Sequence, residues 1–250
     1  MNADNTYRKF AQYYDLYVGD FEEDLELYKS FCKAYEKILE VGCGTGRVLK
    51  SFLQDGFAIT GIDISQDMLE VAKEKLHSFY QHGMLRLKHH DFMNQPIAEK
   101  YDKVLVTFYA FNYVLRHSET FLKNIFLSMS EDSLLIMDLF YPKTLANKEL
   151  DNVWTDREFR YQERVIQLKD KRTFSNDIEE RVQIYQENGE DTQIQSTRKY
   201  YSPATLKKLL ETVGFQKIMF AKNYDVLNFR ETIREEKISK NFLVKAVKRT

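Results

Sequence analysis

The sequence has little of what would fit a protein for an oxidising or membrane environment. Its 250 residues include only two cysteines, Cys32 and Cys43, too few for a disulfide framework, so both are expected as reduced thiols. No apolar run approaches the roughly 20 residues that span a bilayer, and the N-terminus lacks a basic segment followed by an apolar core. These absences predict a cytoplasmic location with no membrane partner.

The chain also lacks an excess of charge of either sign. Lys and Arg number 37 and Asp and Glu number 38, which gives a net charge of -1. Such a balance creates no overall field to recruit nucleic acid or an anionic membrane surface. Because 43% of the residues are hydrophobic, a substantial core is expected. The composition therefore predicts a globular protein without a nucleic-acid partner.

Strand and helix patterns alternate over the first 140 residues. Short apolar runs that end near Val41, Ile62, His89, Phe108 and Phe140 predict five strands, and helical spacing separates most of them. This alternation is typical of a doubly wound, mostly parallel α/β sheet, which two further strands near the C-terminus extend to seven. Right-handed crossovers bring the carboxyl ends of such strands to one edge, where a ligand site is expected.

The pattern changes to strict alternation between residues 154 and 201, with a hairpin turn expected at Asn188-Gly189. Strands are predicted there at residues 161–168, 178–186 and 192–199. This stretch predicts a small antiparallel β lid, residues 142–201. The lid would interrupt a Rossmann-like domain made of residues 1–141 and 202–250.

Three glycines at alternate positions, Gly42, Gly44 and Gly46, follow the first strand directly. Glycine allows the backbone to turn sharply and to approach a ligand closely. Asp63 ends the next strand, where a carboxylate can accept both hydroxyls of a ribose. Together they predict a nucleotide site, with Cys43 as a small packing residue rather than a nucleophile.

This spacing resembles motif I of the class I S-adenosylmethionine-dependent methyltransferases, E/D-x-G-x-G-x-G. Glu40 supplies the leading acid, and Arg47 stands where a dinucleotide fingerprint would have its last glycine. Residues 61–69, 90–92 and 101–106 are similar, in order, to the second, third and fourth motifs of that family. The resemblance implies a Rossmann-like methyltransferase fold with S-adenosylmethionine as cofactor and no metal.

The resemblance implies a role for each of the matched acids. Glu40 would accept a hydrogen bond from the cofactor's ammonium group, Asp63 from the ribose and Asp91 from the adenine amine. Asp91 is also compatible with a simple turn at a strand end, and the apolar residues near the adenine are also compatible with core packing. The expected cofactor-binding residues are Tyr14, Glu40, Gly42, Cys43, Gly44, Gly46, Asp63, Ile64, Met68, Asp91, Phe92 and Phe108.

The tyrosine-rich segment of residues 7–17 carries a second resemblance. Small-molecule methyltransferases of the glycine N-methyltransferase and sugar N,N-dimethyltransferase kind have a similar Y-D-x-x-Y segment, folded over the cofactor. Tyr14 is accordingly expected near the sulfonium, whereas Tyr13 and Tyr17 are interpreted as packing residues of the cover.

The acceptor site is expected after the fourth strand and under the lid. Tyr113 matches a position that borders the acceptor amine in the sugar methyltransferases, and His117 could serve as a base. The segment around His117 is also typical of a turn before a helix capped by Ser118, the interpretation we favour. The expected catalytic residues are thus Tyr14, Tyr113 and His117. The expected substrate-binding residues are Tyr109, Asn112, Tyr113, Tyr141 and Trp154, the last with packing of the lid's own core as its alternative.

These features predict a methyltransferase that acts on a small molecule, with nitrogen favoured over oxygen as the acceptor. An amine needs only to be neutral when it attacks, whereas a hydroxyl generally needs a positioned base. Alternatives that stay open are a protein or RNA substrate and a non-catalytic module that binds S-adenosylmethionine. The sequence names no acceptor and leaves the oligomeric state, a homodimer included, undecided.

Overall fold

The computed structural model describes residues 3–19, 21–141, 151–161 and 164–249. Its helices are α1 (Ala3–Val18), α2 (Leu25–Ser30), α3 (Arg47–Gln54), α4 (Gln66–Lys75), α5 (His77–Gln81), α6 (Ser118–Leu127) and α7 (Pro203–Val213). Its strands are β1 (Ile38–Val41), β2 (Ile59–Asp63), β3 (Leu85–His89), β4 (Tyr101–Val106), β5 (Met129–Phe140), β6 (Trp154–Tyr161), β7 (Arg164–Ser175), β8 (Ile178–Glu187), β9 (Glu190–Lys199), β10 (Phe215–Lys222) and β11 (Asn241–Lys248). Within this part of the chain, no helix is both long and apolar enough to cross a membrane.

Seven of these strands form one sheet in the order β10-β11-β5-β4-β1-β2-β3. Neighbours from β5 to β3 pair in parallel, and β11 pairs antiparallel with both β5 and β10. The predicted fold class, a doubly wound and mostly parallel seven-stranded sheet, is therefore confirmed. The strand order reverses between β1 and β4, so a crevice opens at their carboxyl ends.

The centre of this sheet is apolar because helices cover both of its faces. Leu39 of β1 and Val104 and Leu105 of β4 are fully buried. The helix boundaries follow the capping residues that the sequence contains. Ser65 and Ser202 accept hydrogen bonds from backbone N–H groups at the start of α4 and α7, and α7 ends at a glycine in the left-handed region.

The smaller, antiparallel sheet has the order β6-β7-β8-β9 and lies between β5 and α7 in the chain. Asn188 and Gly189 have φ angles of 52° and 82°, as a two-residue hairpin turn requires, so that turn is confirmed. The strand predicted over residues 161–168 is wrong at its start, because β6 ends at 161 and β7 begins at 164. Strand β6 was missed since it is an exposed edge strand, with polar side chains on both faces. The boundaries of the predicted lid stay a prediction, and residues 142–150 lie outside the described part.

Helix α1 lies against the smaller sheet. The ring of Tyr13 stacks on that of Tyr185 in β8, with centroids 4.3 Å apart and an angle of 7° between the planes. Tyr13 joins a buried cluster with Ile166, Leu168 and Ile194 of that sheet. The antiparallel sheet therefore holds α1, which contains the predicted cover of residues 7–17, in position.

Candidate functional site

A cavity lies at the carboxyl edge of β1, β2 and β4, where the strand order reverses. Its wall consists of the glycine turn after β1, the ends of β2 and β4, and residues of α1 and α4. Ten residues that the sequence predicted for the site line it: Tyr14, Gly42, Gly44, Asp63, Ile64, Met68, Asp91, Phe92, Phe108 and Tyr113. The structure therefore gathers residues that are up to about 100 positions apart in the chain.

The backbone of the turn after β1 adopts angles that favour glycine, and at Gly42 a side chain would also lack space. Gly42 has a φ angle of 75°, and a Cβ there would lie 2.8 Å from the Cβ of Ala110. Gly44 has a φ angle of 54°, and its missing Cβ would point at the ring of Tyr14, 3.8 Å away. Glycine is needed at both positions because L side chains rarely adopt such angles. The backbone is thus exposed to whatever occupies the cavity.

Asp63 joins the glycine turn to the start of α4. Its Oδ2 atom accepts a hydrogen bond of 2.8 Å from the N–H of Gly44, and its Oδ1 atom accepts one of 2.9 Å from Ser65. Burial raises the pKa of this carboxyl, and the backbone N–H groups oppose that rise. Each oxygen keeps a second acceptor site. The geometry is compatible with a ribose diol, and that role stays a prediction.

Glu40 holds a buried carboxylate oxygen that lacks a partner within the described residues. Thr107 donates a hydrogen bond of 2.6 Å to Oε1, whereas Oε2 accepts none. Burial raises the pKa of Glu40 to about 8. An unpaired buried acceptor costs free energy until a donor reaches it. Glu40 lies behind the cavity lining, next to Val41, Gly42 and Thr107 that belong to it. An ammonium donor that reached Oε2 would satisfy this oxygen, so together with the glycine turn the residues present fit the expected cofactor.

Asp91 is engaged locally. Its Oδ1 atom accepts a hydrogen bond of 2.8 Å from the N–H of Met93, and Oδ2 accepts one of 3.1 Å from the side-chain amide of Asn94. This arrangement is the turn that the sequence left open as an alternative. Of the three apolar residues expected at the adenine, Ile64 is 43% exposed whereas Met68 and Phe92 are buried in the core. Their adenine contacts stay a prediction.

Helix α1 covers the cavity with aromatic side chains. Phe10 and Tyr14 both line it, and their rings meet edge to face with centroids 5.4 Å apart. Burial raises the pKa of the Tyr14 phenol, so the group stays protonated and can donate a hydrogen bond. The ring of Tyr14 lies over the glycine turn, and its place near the sulfonium stays a prediction.

Tyr113 also lines the cavity and connects it to the smaller sheet. Its hydroxyl accepts a hydrogen bond of 3.0 Å from Nε of Arg198 at the end of β9. The guanidinium carbon of Arg198 lies 5.1 Å from the centroid of the Tyr113 ring. Sequence analysis missed Arg198, because the alternation of β9 indicates which residues share a face but not what that face meets.

Two predicted substrate residues lie outside the cavity lining. The side-chain amide of Asn112 donates to the carbonyl groups of Lys199, at 2.7 Å, and Phe140, at 3.2 Å. It therefore ties the end of β9 to the end of β5. Tyr109 is buried, and its hydroxyl accepts a hydrogen bond of 3.0 Å from the side-chain amide of Asn241. The structure gives both residues a structural contact instead.

Three further candidates lie away from the cavity lining. His117 is exposed and precedes α6 without a side-chain cap, and Ser118 begins α6, so the predicted Ser118 cap is wrong. The hydroxyl of Tyr141 donates a hydrogen bond of 2.5 Å to Glu235. Trp154, on the edge strand β6, is 44% exposed. The structure brings none of these three side chains to the cavity.

The two remaining residues of the predicted cofactor set support the turn from behind. Cys43 is buried, and burial raises the pKa of its thiol well above the usual range, which suits a packing residue. Gly46 has a φ angle of 83° and precedes α3, where a Cβ would lie 2.9 Å from Cδ1 of Leu76. Neither lines the cavity.

Several lining residues carried no motif in the sequence. They come from α1, from the end of β4 and from the helices beyond it, and they are largely apolar: Phe10, Thr107, Ala110, Val114 and Phe121. Apolar residues at helical spacing predict a core equally well, so no local signal separates a cavity wall from ordinary packing.

Comparison with known proteins identifies part of this fold. Residues 38–131 match the family model described as a methyltransferase domain. A putative methyltransferase of Geobacillus sp. (strain WCH70) is 30% identical over 172 residues, which cover 62% of this chain and 63% of that protein. The chain therefore spans about three fifths of the length of this curated relative, and a putative methyltransferase of Bacillus subtilis shows the same share, 62%.

Two solved structures share the fold over nearly the whole chain. An S-adenosylmethionine-dependent methyltransferase from Clostridium acetobutylicum has a TM-score of 0.76 at 18% identity, with 98% of this chain and 99% of that chain covered. An amino pentose methyltransferase from Micromonospora echinaspora, solved with S-adenosylmethionine bound, has a TM-score of 0.69 at 13% identity, with coverages of 94% and 95%. At these identities the likeness shows the fold.

Proposed function

Because this chain carries a methyltransferase domain, we propose that it moves the methyl group of S-adenosylmethionine to a small molecule, at an amine nitrogen. The match over residues 38–131 confirms the methyltransferase domain that the motifs predicted. The S-adenosylmethionine-bound fold relative supports the cofactor, which is part of the proposal. The small-molecule acceptor and the nitrogen are its other parts.

The observation that carries the proposal is the cover that α1 places over the glycine turn. Phe10 and Tyr14 lie on the cavity side of that helix, and Tyr13 on the opposite side packs against the smaller sheet. A recess closed by a helix and walled by aromatic rings suits a compact acceptor, since such walls exclude water and bury apolar surface. A long polymer would need an open groove.

The choice of nitrogen rests on the state of the titratable lining residues. Asp63 and Asp91 accept backbone N–H groups, and Nε2 of His90 lies 2.8 Å from the carbonyl oxygen of Gln95. Each of these three groups has a hydrogen-bond partner from the chain that fixes its position. A hydroxyl acceptor would need such a base, whereas a neutral amine attacks without one.

When bound, S-adenosylmethionine supplies a methyl group that its positive sulfur already activates. The chain's residues then have to bind, orient and exclude water. Glu40 would hold the ammonium group and Asp63 the ribose, while Tyr14 closes the site from above. Tyr113, at the junction with β9, would border the acceptor. No side chain has to form a covalent bond in this scheme.

The fold relatives support a small acceptor, without assigning it. The Micromonospora protein acts on an amino pentose, which is a small amine. Because its sequence is only 13% identical to this chain, it supports the proposal through the shared fold alone. The acceptor of the present chain is therefore a question for experiment.

A screen with methyl-labelled S-adenosylmethionine tests the proposal. Purified protein is incubated with metabolites, protein and RNA from a cell extract in three separate fractions, and transferred label is measured in each. We expect label in the metabolite fraction, on a compound whose new N-methyl group mass spectrometry can locate. Label confined to the protein or RNA fraction, or on oxygen, would contradict the proposal. Cofactor binding without any transfer would favour the non-catalytic alternative.

A further inference from the structure

Arg198 lies on the inner face of the smaller sheet, the face that meets α1, and within the described residues no carboxylate forms an ion pair with its guanidinium. Its Nε atom donates to the hydroxyl of Tyr113, and its charge lies 5.9 Å from the ring centroid of Phe140. Within the described residues, no acceptor receives a hydrogen bond from its two terminal nitrogens. Four N–H donors of a permanent cation therefore remain available.

Arg181 and Arg172, on the same face, share one carboxylate. Arg181 donates two hydrogen bonds, of 2.7 Å and 2.6 Å, to the two oxygens of Asp170 and a third, of 3.0 Å, to the hydroxyl of Tyr17. Arg172 lies 3.4 Å from the same carboxylate. Asp170 is thus shared by two cations and does not compensate a third.

The carboxylate beside Arg198 on the sheet, that of Glu179, is engaged at one oxygen only, because Oε1 accepts no hydrogen bond within the described residues. Glu179 is the register partner of Arg198 across the pair of β8 and β9, so both side chains lie on one face. Its Oε2 atom accepts a hydrogen bond of 2.5 Å from the hydroxyl of Tyr200, and no ion pair joins it to Arg198 within the described residues. A cation that is partly exposed beside this arrangement attracts an anion from outside the chain.

We propose that Arg198 binds an anionic group, a carboxylate or a phosphate, on the acceptor molecule. The inference rests on the proposed function and adds the chemical class of the acceptor, an amine that also carries an oxyanion. A planar guanidinium matches either oxyanion with two parallel hydrogen bonds. Tyr113 touches both Arg198 and the cavity, so it links the bound anion to the place where the amine would be methylated.

The contact also gives Tyr113 a defined orientation. Its hydroxyl receives the Nε–H of Arg198, which leaves its own O–H free to donate toward the cavity side. An anion on the terminal nitrogens would hold the guanidinium in place and, through it, the tyrosine. Arg198 is therefore a positioning residue for Tyr113 as well as a binding residue.

Equilibrium binding of two simple anions tests this site without using catalysis. Inorganic phosphate and acetate are titrated separately into the full chain saturated with S-adenosylhomocysteine, and binding is followed by calorimetry or by NMR. The variants are Arg198→Met, Arg198→Lys and a matched control, Arg157→Met, at an exposed arginine of β6. Calorimetric binding of S-adenosylmethionine is measured on each variant, to show that the cofactor site and the fold are intact.

We expect saturable binding of at least one anion, at least tenfold weaker in Arg198→Met, intermediate in Arg198→Lys and unchanged in Arg157→Met. Preference for phosphate or for acetate then distinguishes a phosphorylated acceptor from a carboxylic one. Absence of saturable binding to the native chain up to about 50 mM, or equal affinity in the native chain and Arg198→Met, overturns the inference. Failure of S-adenosylmethionine to bind would instead overturn the proposed function, so the two failures are separate.

Discussion

The hydroxyl of Thr45, inside the glycine turn, donates a hydrogen bond of 2.6 Å to the carboxylate of Asp15 on α1. The second carboxylate oxygen of Asp15 accepts from the ammonium group of Lys75 in α4, at 2.7 Å. Helix α1 is therefore fastened to the turn and to the helix that flanks the cavity. The cover and the cofactor turn form one unit.

Removal of this fastening should weaken cofactor binding. In Asp15→Ala both contacts are lost, and we expect affinity for S-adenosylmethionine to fall about five- to tenfold, the equivalent of about 1 kcal/mol for a partly exposed charged hydrogen bond. Isothermal titration calorimetry measures the affinity for S-adenosylmethionine in both proteins. The matched control is Glu22→Ala, an exposed carboxylate beyond the end of α1. Equal affinities in Asp15→Ala and the native chain would show that the fastening does not contribute.

Loss of the Asp63 carboxylate should have a larger effect. Asp63→Ala removes the acceptor of the Gly44 and Ser65 N–H groups together with the proposed acceptor of the ribose hydroxyls. We expect binding of S-adenosylmethionine to weaken by about 1.5 to 3 kcal/mol. Calorimetry with S-adenosylmethionine and with methionine separates the two contributions, because only the former has a ribose. An unchanged affinity for S-adenosylmethionine would remove the ribose assignment.

Glu40 should release a proton when the cofactor binds. Burial raises its pKa to about 8, so at pH 7 the carboxyl is mostly protonated, and an ammonium partner at Oε2 would favour the ionised form. Calorimetry at pH 7 in buffers of different ionisation enthalpy should therefore show release of close to one proton, absent in Glu40→Gln. Equal proton release in the two proteins would contradict the ammonium contact.

Asp138 should make the free energy of unfolding depend on pH. Burial raises the pKa of this carboxyl from 3.8 to about 7, and its Oδ2 atom accepts a hydrogen bond of 3.0 Å from Tyr224. The native state holds the proton more tightly than the unfolded state, so this contribution to stability is lost as the pH rises from about 4 to about 7. In Asp138→Asn the amide side chain at this position does not titrate, so this pH-dependent contribution to stability is absent.

The comparison of these two proteins gives the measurement. Urea unfolding at pH 5 and at pH 8 should show that Asp138→Asn gains stability relative to the native chain as the pH rises, by roughly 2 to 4 kcal/mol between these two pH values. Conversion of Asp102, an aspartate of β4 near the opposite end of the sheet, to Asn serves as the control. Parallel stability curves for Asp138→Asn and the native chain would disprove the raised pKa.

The main sheet was predictable because its strands are marked by their own residues. Leu39, Val104 and Leu105 belong to continuous apolar runs, and Ser65 and Gly214 mark helix ends with side-chain and backbone chemistry that acts over three or four residues. The glycine turn and Asp63 were predictable for the same reason. These features can be predicted from the sequence because the residues that cause them lie within a few positions of one another.

The acceptor side was less predictable because its contacts join distant segments. Arg198 meets Tyr113 across 85 positions, and Asn112 meets Lys199 across 87. The periodicity of apolar residues within a strand or helix does not indicate which distant residues will be in contact. Trp154, expected to cover the acceptor or to anchor a core, is on an edge strand with nearly half of its surface exposed, since β6 pairs with β7 alone. An aromatic residue in a strand indicates burial only when the strand has a neighbour on each side or a layer above it.

Helix α1 has two occupied faces, and this restricts the order of events during turnover. On one face Tyr14 lies over the turn, and on the other Tyr13 and Tyr17 contact Tyr185 and Arg181 of the smaller sheet. A displacement of the helix to admit one ligand would therefore disturb the surface that faces the other. If the proposed function holds, we expect departure of the spent donor and entry of the next acceptor to be coupled, and a steady-state analysis should show an ordered rather than a random sequence of binding.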